Sequence, residues 1–227
     1  MDISLFYVEK GSGEPLILLH GNGEDHEYFR SQIDYFSKTR RVIAIDTRGH
    51  GRSLRGTKPF TLNTFVEDLV KFMRSKEIYN ADILGFSDGG NVALMFALQH
   101  PYNVRRLILN GANLRFSGLT LGTGAWILRK YILYCIQAPF SKKAAKRRDL
   151  FRLMVKEPRI DPDELRSLEV PTLVIVGNKD MIKAGHSKLI AKNIPDCKLV
   201  TLKGDHFIAV NNSEKFNKAV EEFLTQF

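Results

Sequence analysis

Apolar residues along this chain come in short runs separated by stretches with a helical rhythm. The runs span residues 16–19, 42–45, 83–84, 107–109, 173–176 and 199–202 and are dominated by Ile, Leu and Val. Runs of this length without polar alternation are the pattern of strands covered on both faces. A seventh segment, residues 4–10, alternates more and fits a solvated edge. Between the runs, Phe65, Leu69, Phe72 and Met73 fall on one stripe of a helix, and Phe216, Val220, Phe223 and Leu224 do the same near the C-terminus. This alternation predicts an α/β fold: a mostly parallel, twisted sheet of about seven strands with helices on both faces.

One segment breaks the rhythm. Residues 113–168 contain no strand-like run, and they open with Ser117-Gly118-Leu119-Thr120-Leu121-Gly122-Thr123-Gly124. Residues 126–136 are then apolar nearly all the way round a helix, with Arg129 and Lys130 the exceptions. A helix of that kind needs cover. The expectation is a small helical cap, 113–168, inserted into a core made of 1–112 and 169–227, the whole forming one domain. Some of Trp126, Leu128, Ile132 and Tyr134 are then expected to face a ligand cavity, with membrane contact as the alternative.

Composition narrows the function classes. The chain has 227 residues, 44% of them hydrophobic, enough for one sizeable core. Its two cysteines, Cys135 and Cys197, lie 62 residues apart in no C-x-x-C arrangement, which argues against a zinc ribbon, a redox pair or a disulfide framework. They read as buried thiols in a reducing compartment. No signal-like N-terminus and no run of about 18 apolar residues is present, so a soluble cytoplasmic protein is expected. The net charge is +9, and residues 113–166 hold twelve Lys or Arg against five Asp or Glu. The densest part is Lys142-Lys143-Ala144-Ala145-Lys146-Arg147-Arg148, with no aromatic residues interleaved, which disfavours single-stranded nucleic acid. A solvated helix face is the plain reading of this run; attraction to an anionic substrate or a membrane surface is the other. The expected partner is a small-molecule ester, with no nucleic acid and no stable membrane insertion; the oligomeric state is open.

The candidate chemistry begins at Gly85-Phe86-Ser87-Asp88-Gly89, a G-x-S-x-G sequence directly after the strand-like residues 81–84 and before the apolar helical stretch 90–98. Strand, sharp turn and helix in that order make Ser87 a candidate nucleophile. A serine hydroxyl needs a base, and the base needs a group to orient it. Asp180 follows the run 173–176 and His206 follows 199–202, so both lie just past strand ends that share one rim with the elbow. The order Ser, Asp, His is also the expected one. His186 is the second candidate for the base, and Asp205 competes with Asp180 as the acid. His20, His26, His50 and His100 read as structural or solvated. An oxyanion needs preset donors. The amides of Asp88 and of Asn22, in the turn His20-Gly21-Asn22-Gly23, are the candidates.

Together with Asp46-Thr47-Arg48-Gly49-His50-Gly51-Arg52-Ser53 and Gly204-Asp205-His206, these motifs resemble the α/β-hydrolase-fold serine hydrolases over nearly the whole chain. The resemblance implies ester-type hydrolysis through an acyl-enzyme, without metal or organic cofactor, with 46–53 as a mainly structural loop. Ser87 stands where dehalogenase and epoxide-hydrolase relatives carry an aspartate, which disfavours those activities. Ser87-Asp88-Gly89-Gly90 is similar to the elbow of biphenyl-hydrolase-like, valacyclovirase-type esterases, where the aspartate after the nucleophile is implicated in holding a substrate ammonium; the plainer role for Asp88 is to complement the helix N-terminus. The expected activity is hydrolysis of a carboxylic ester, lactone or thioester. Carbon–carbon bond hydrolysis or a lyase reaction on the same triad is the alternative, and a non-catalytic binding protein of the same fold a third.

Overall fold

The computed structural model describes residues 2–226. Seven strands form one sheet: β1 (Tyr7–Lys10), β2 (Pro15–Leu19), β3 (Arg41–Ile45), β4 (Ala81–Phe86), β5 (Val104–Asn110), β6 (Thr172–Gly177) and β7 (Cys197–Leu202). Their spatial order is β1-β3-β2-β4-β5-β6-β7, and every pair is parallel except β1 with β3. The alternating segment at the N-terminus is thus the antiparallel edge, as its half-polar pattern requires.

The uninterrupted apolar runs are explained by the sheet's two covered faces. Successive side chains of a strand point to opposite faces. Leu16, Leu18, Val42, Ala44, Leu84 and Ile108 pack with Phe29 and Phe36 and with Phe216, Val220 and Phe223, from helices α1 (Arg30–Phe36) and α8 (Ser213–Leu224) and the turn before α1. Their neighbours Ile17, Leu19, Ile43, Ile45, Ile83 and Leu107 pack on the other face with α2 (Leu62–Ser75) and α3 (Asp88–Gln99). Thr61 caps α2 by accepting the Thr64 N–H at 3.2 Å. α6 (Ala184–Asn193) and the short α7 (Ile208–Asn211) complete the layers between and after the last strands.

Residues 121–156 form two consecutive helices, α4 (Leu121–Gln137) and α5 (Lys142–Lys156), the second capped by the Ser141 hydroxyl. α5 is tied to the rest of the chain: Leu153 is buried, the Leu150 carbonyl accepts from the Asn22 side chain at 2.9 Å, and the carboxylate of Glu157, just past the helix, accepts the Leu62 N–H at 2.7 Å. α4 departs from the expectation that it is covered all round. Only Gly124 and Ile127 are buried on it. Trp126 is 53% exposed, Ile132 52% and Leu128 42%, and Tyr134 is half-buried against Phe151. These four therefore do not line an enclosed cavity. One face of α4 satisfies the helix by packing on Leu119, Ile182, Phe151 and Met154, and no other element among the described residues covers the opposite face. For the same reason Cys135 on α4 is exposed, and Cys197, on the edge strand β7, is half-buried, so neither is the buried thiol that the composition suggested. Among the described residues no helix is long and apolar enough to cross a membrane.

A Cβ added at Gly89 would lie 2.1 Å from the Leu19 carbonyl oxygen, because α3 starts in contact with the end of β2. Gly89→Ala is accordingly expected to lower the unfolding free energy by roughly 3 kcal/mol through forced separation of helix and strand, read as a lower urea midpoint at an unchanged slope.

Candidate active site

The elbow is strained, and its surroundings explain how it persists. Ser87 sits at φ 53°, ψ −119°, between β4 and α3. Such a conformation costs about 1–3 kcal/mol and persists only where its neighbours enforce it. Here the Ser87 N–H donates to the Asn110 carbonyl at 2.8 Å and the Ser87 carbonyl accepts from the Asn91 N–H at 3.0 Å. Gly85 and Gly89 are required by close approach: a Cβ on Gly85 would lie 2.3 Å from the Gly89 carbonyl oxygen.

His206 and Asp180 meet through the turns after β6 and β7. These turns are stitched together by Lys179 N–H to the Gly204 carbonyl at 2.9 Å, Asn178 N–H to the Leu202 carbonyl at 2.8 Å and Gly204 N–H to Asn178 Oδ1 at 3.0 Å. The result is a His206 Nδ1 to Asp180 Oδ1 contact of 2.7 Å between two buried side chains. Asp180 Oδ1 also accepts the Ile182 N–H at 2.9 Å, so the carboxylate is held from two sides. With Nδ1 committed, the opposite ring atom, Nε2, is buried and has no partner among the described residues. The imidazole leans on Phe86, the elbow residue before Ser87, with ring centroids 4.7 Å apart, and Phe86 stacks in turn on Tyr28 at 4.2 Å. Ser87, His206 and Asp180 therefore share one rim of the sheet, linked through Asn110 and Gly111.

The competing candidates are occupied elsewhere. His186 Nε2 accepts the Leu114 N–H at 2.9 Å and burial lowers its basicity, so it serves the backbone. Asp205 accepts from Phe207 N–H and the Asn211 side chain, turned toward α7. His20 bridges Gly21 O and the Thr47 N–H, at 2.7 and 3.0 Å, and shapes the turn that carries Asn22. His50 packs on Phe60 and Phe65, and burial pushes it down to about 3. Asp25, His26 and Asp46 stand close enough for a metal, but Asp46 already accepts from His26 N–H, His26 Nδ1 and Arg52 N–H at 2.8 Å each. Together with Arg48, which is buried in a two-point ion pair with Asp68, they brace the 46–53 loop.

The two expected oxyanion donors are joined by a side-chain network. Asn22 Nδ2 donates to Asp88 Oδ2 at 2.7 Å, and Asn91 Nδ2 donates to Asp88 Oδ1 at 3.2 Å. Neither the Asn22 nor the Asp88 main-chain N–H donates to an acceptor among the described residues. Asp88 is only 8% exposed; burial is the main cause that raises its carboxyl to about 6, with the Asn22 and Asn91 bonds opposing. Both of its oxygens are thus engaged within the protein, as a brace between helix and turn.

The family model for the alpha/beta hydrolase fold matches residues 14–158. The chain belongs to this family. It is 30% identical over 251 residues to a 2-hydroxymuconate semialdehyde hydrolase of Pseudomonas putida, covering 96% of this chain and 89% of that one. It is 27% identical to the human serine hydrolase BPHL, over 98% of this chain and 83% of the relative. Among solved structures it resembles a mutant of the meta-cleavage product hydrolase CumD from Pseudomonas fluorescens IP01, with a TM-score of 0.81, 26% identity and coverage of 99% of this chain and 95% of that one.

Two residues of this α/β hydrolase site escaped sequence reasoning. Gly111, after β5, has φ 63°, and a Cβ there would lie 2.6 Å from His206 Cε1. Only its strand-end position hinted at a role. Glu24 accepts the Gly21 N–H at 3.1 Å and so holds the 20–23 turn from beneath; burial raises its carboxyl to about 7, against the Gly21 bond. Nothing in local sequence separates it from a surface glutamate.

Gly111→Ala is expected to cut kcat by about 100-fold, by displacing the imidazole, while the melting temperature drops only a few degrees. Because Glu24 binds its proton more tightly in the folded state, its contribution to stability is complete below pH 4.5 and lost as pH rises through about 7. Glu24→Gln removes this loss, so the stability of the variant relative to wild type should rise by roughly 2 kcal/mol between pH 4.5 and 8 in urea titrations.

Proposed function

We propose that this α/β hydrolase cleaves a carboxylic ester, lactone or thioester of a small molecule through Ser87, His206 and Asp180. The observation that carries the reading is the His206–Asp180 contact of 2.7 Å, with Nε2 left unpartnered beside the strained serine elbow. Asp180 holds the ring with its proton on Nδ1, which leaves Nε2 as the base. Ser87 Oγ attacks the acyl carbon as its proton passes to Nε2. The bond to the leaving oxygen, or to sulfur in a thioester, breaks as His206 returns that proton to it. Water, deprotonated by the same nitrogen, then releases the acid and regenerates Ser87. The developing oxyanion is received by the amides of Asn22 and Asp88, preset by the Asn22–Asp88 side-chain bond. Residues 113–168 act as the cap that selects the substrate, and the reaction uses no metal or organic cofactor.

The likeness to a semialdehyde hydrolase favours a second reading on the same residues. A semialdehyde contains no ester, so carbon–carbon bond hydrolysis is the alternative chemistry. In that reading His206 acts as base without a lasting acyl-enzyme, so mass spectrometry separates the two: quenched turnover of unactivated esters, lactones or thioesters traps a Ser87-acylated peptide in an ester hydrolase, whereas quenched turnover of a semialdehyde leaves Ser87 unmodified in a carbon–carbon hydrolase.

Ser87→Ala should lower p-nitrophenyl acetate hydrolysis by at least about 1,000-fold and abolish labelling by a fluorophosphonate, with the circular dichroism spectrum unchanged. Undiminished labelling of the variant would remove Ser87 from the mechanism.

A further inference from the structure

The uncovered face of α4 is unlike the rest of the surface. Of the twelve large hydrophobic residues exposed among the described residues, seven lie between positions 121 and 140. Leu54, Tyr79 and Tyr102 are scattered singly, as on any soluble protein. On α4, by contrast, Trp126, Leu128, Ile132, Leu133 and Ile136 follow helical spacing, with exposures from 40% to 66%, and Phe140 continues the patch at 89%. The buried residues Gly124 and Ile127 define the opposite side of the helix, so the exposed set is one face. Arg129, also exposed, lies on the same face between Trp126 and Ile132, and its aliphatic stem can lie along apolar surface while its charge reaches outward; an apolar face of this extent around one basic residue marks an interaction surface.

Charge identifies the partner. Residues 121–156 carry nine Lys or Arg and a single acid, Asp149, which is itself bonded to Arg148 at 2.8 Å. Lys142, Lys143, Lys146 and Arg147 at the start of α5 are exposed, directly after the apolar patch. Pairing of two copies through this face would bring two such basic fields together, a strongly repulsive arrangement for a self-complementary interface. An amphipathic helix with Trp, Leu and Ile on its outer face and a dense basic flank matches instead an interfacial element on anionic lipid.

We propose that the α4–α5 pair is a peripheral docking surface for an anionic lipid bilayer. α4 lies in the plane of the interface with Trp126, Leu128, Ile132, Leu133 and Ile136 among the acyl chains, and Lys142, Lys143, Lys146 and Arg147 meet the headgroups. The core of the protein stays in water. This placement is independent of which bond the enzyme cleaves.

Trp126 is the one tryptophan of the chain, so its emission reports the patch directly. Adding vesicles of phosphatidylcholine and phosphatidylglycerol to the full chain should shift the emission to the blue and carry the protein into the vesicle pellet. Pure phosphatidylcholine vesicles, or the mixed vesicles in 1 M salt, should lose at least about 10-fold in partitioning. Lys142→Glu with Lys143→Glu should lower binding to the mixed vesicles by a similar factor, and Ile136→Glu should abolish the blue shift. Both variants should keep the wild-type far-ultraviolet circular dichroism spectrum and melting temperature, which shows that they fold. No blue shift on the mixed vesicles overturns the proposal. So does equal, salt-insensitive binding to neutral vesicles, which removes the basic flank from the interaction. A wild-type dimer by light scattering that Ile136→Glu converts to monomer also overturns it, since a second copy then covers the face.

Discussion

Everything at the candidate site depends on the contact between three backbones at one point: the end of β4, the first turn of α3 and the end of β2. They approach so closely that no Cβ fits at Gly85 or Gly89. The approach places Ser87 in a left-handed conformation that an isolated turn would not hold. The strain is maintained by hydrogen bonds from neighbouring elements, to Asn110 at the end of β5 and from Asn91 one turn into α3. The position of Ser87 is thus a property of the packed sheet and helix together.

From that point two chains of interaction spread along the rim. On one side, Asp88 at the start of α3 reaches Asn22, whose amide group also contacts the Leu150 carbonyl in α5. The serine elbow, the 20–23 turn and the inserted helices are joined there by three residues. On the other, Asn110 leads to Gly111, whose missing Cβ leaves room for His206 against Asp180. Two carboxyls, the buried Asp88 and the half-buried Glu24, brace the first route, and burial weakens the acidity of both. Burial of groups that prefer a proton is a cost in stability near neutral pH.

The inserted helices use the same physics with the opposite outcome. α5 is anchored by Leu153 and by polar contacts to the elements below it. α4 buries one narrow side and leaves its larger apolar face to solvent beside a concentrated positive charge. A domain with a full core on both faces of its sheet has no intramolecular need for that face.

The sequence by itself determined the mostly parallel sheet, its seven strands, a solvated edge at the N-terminus and the strand ends at which chemistry can stand; the antiparallel direction of that edge came from the structure. Period-two burial on both faces leaves uninterrupted Ile, Leu and Val runs, and a serine elbow needs glycines that local sequence displays. It also narrowed the histidines and acids to a short set. Sequence order and strand-end position favoured His206 over His186 and Asp180 over Asp205; the tertiary structure shows what each side chain touches, because a hydrogen-bond partner is a matter of position: His206 meets Asp180, a backbone N–H occupies His186, and α7 occupies Asp205. It also engaged both oxygens of Asp88, brought Glu24 under Gly21 and Gly111 beside His206, and turned Trp126, Leu128 and Ile132 outward. An apolar helix announces that it wants a partner. Which of its faces finds one within the chain depends on the shape of everything else that has already packed.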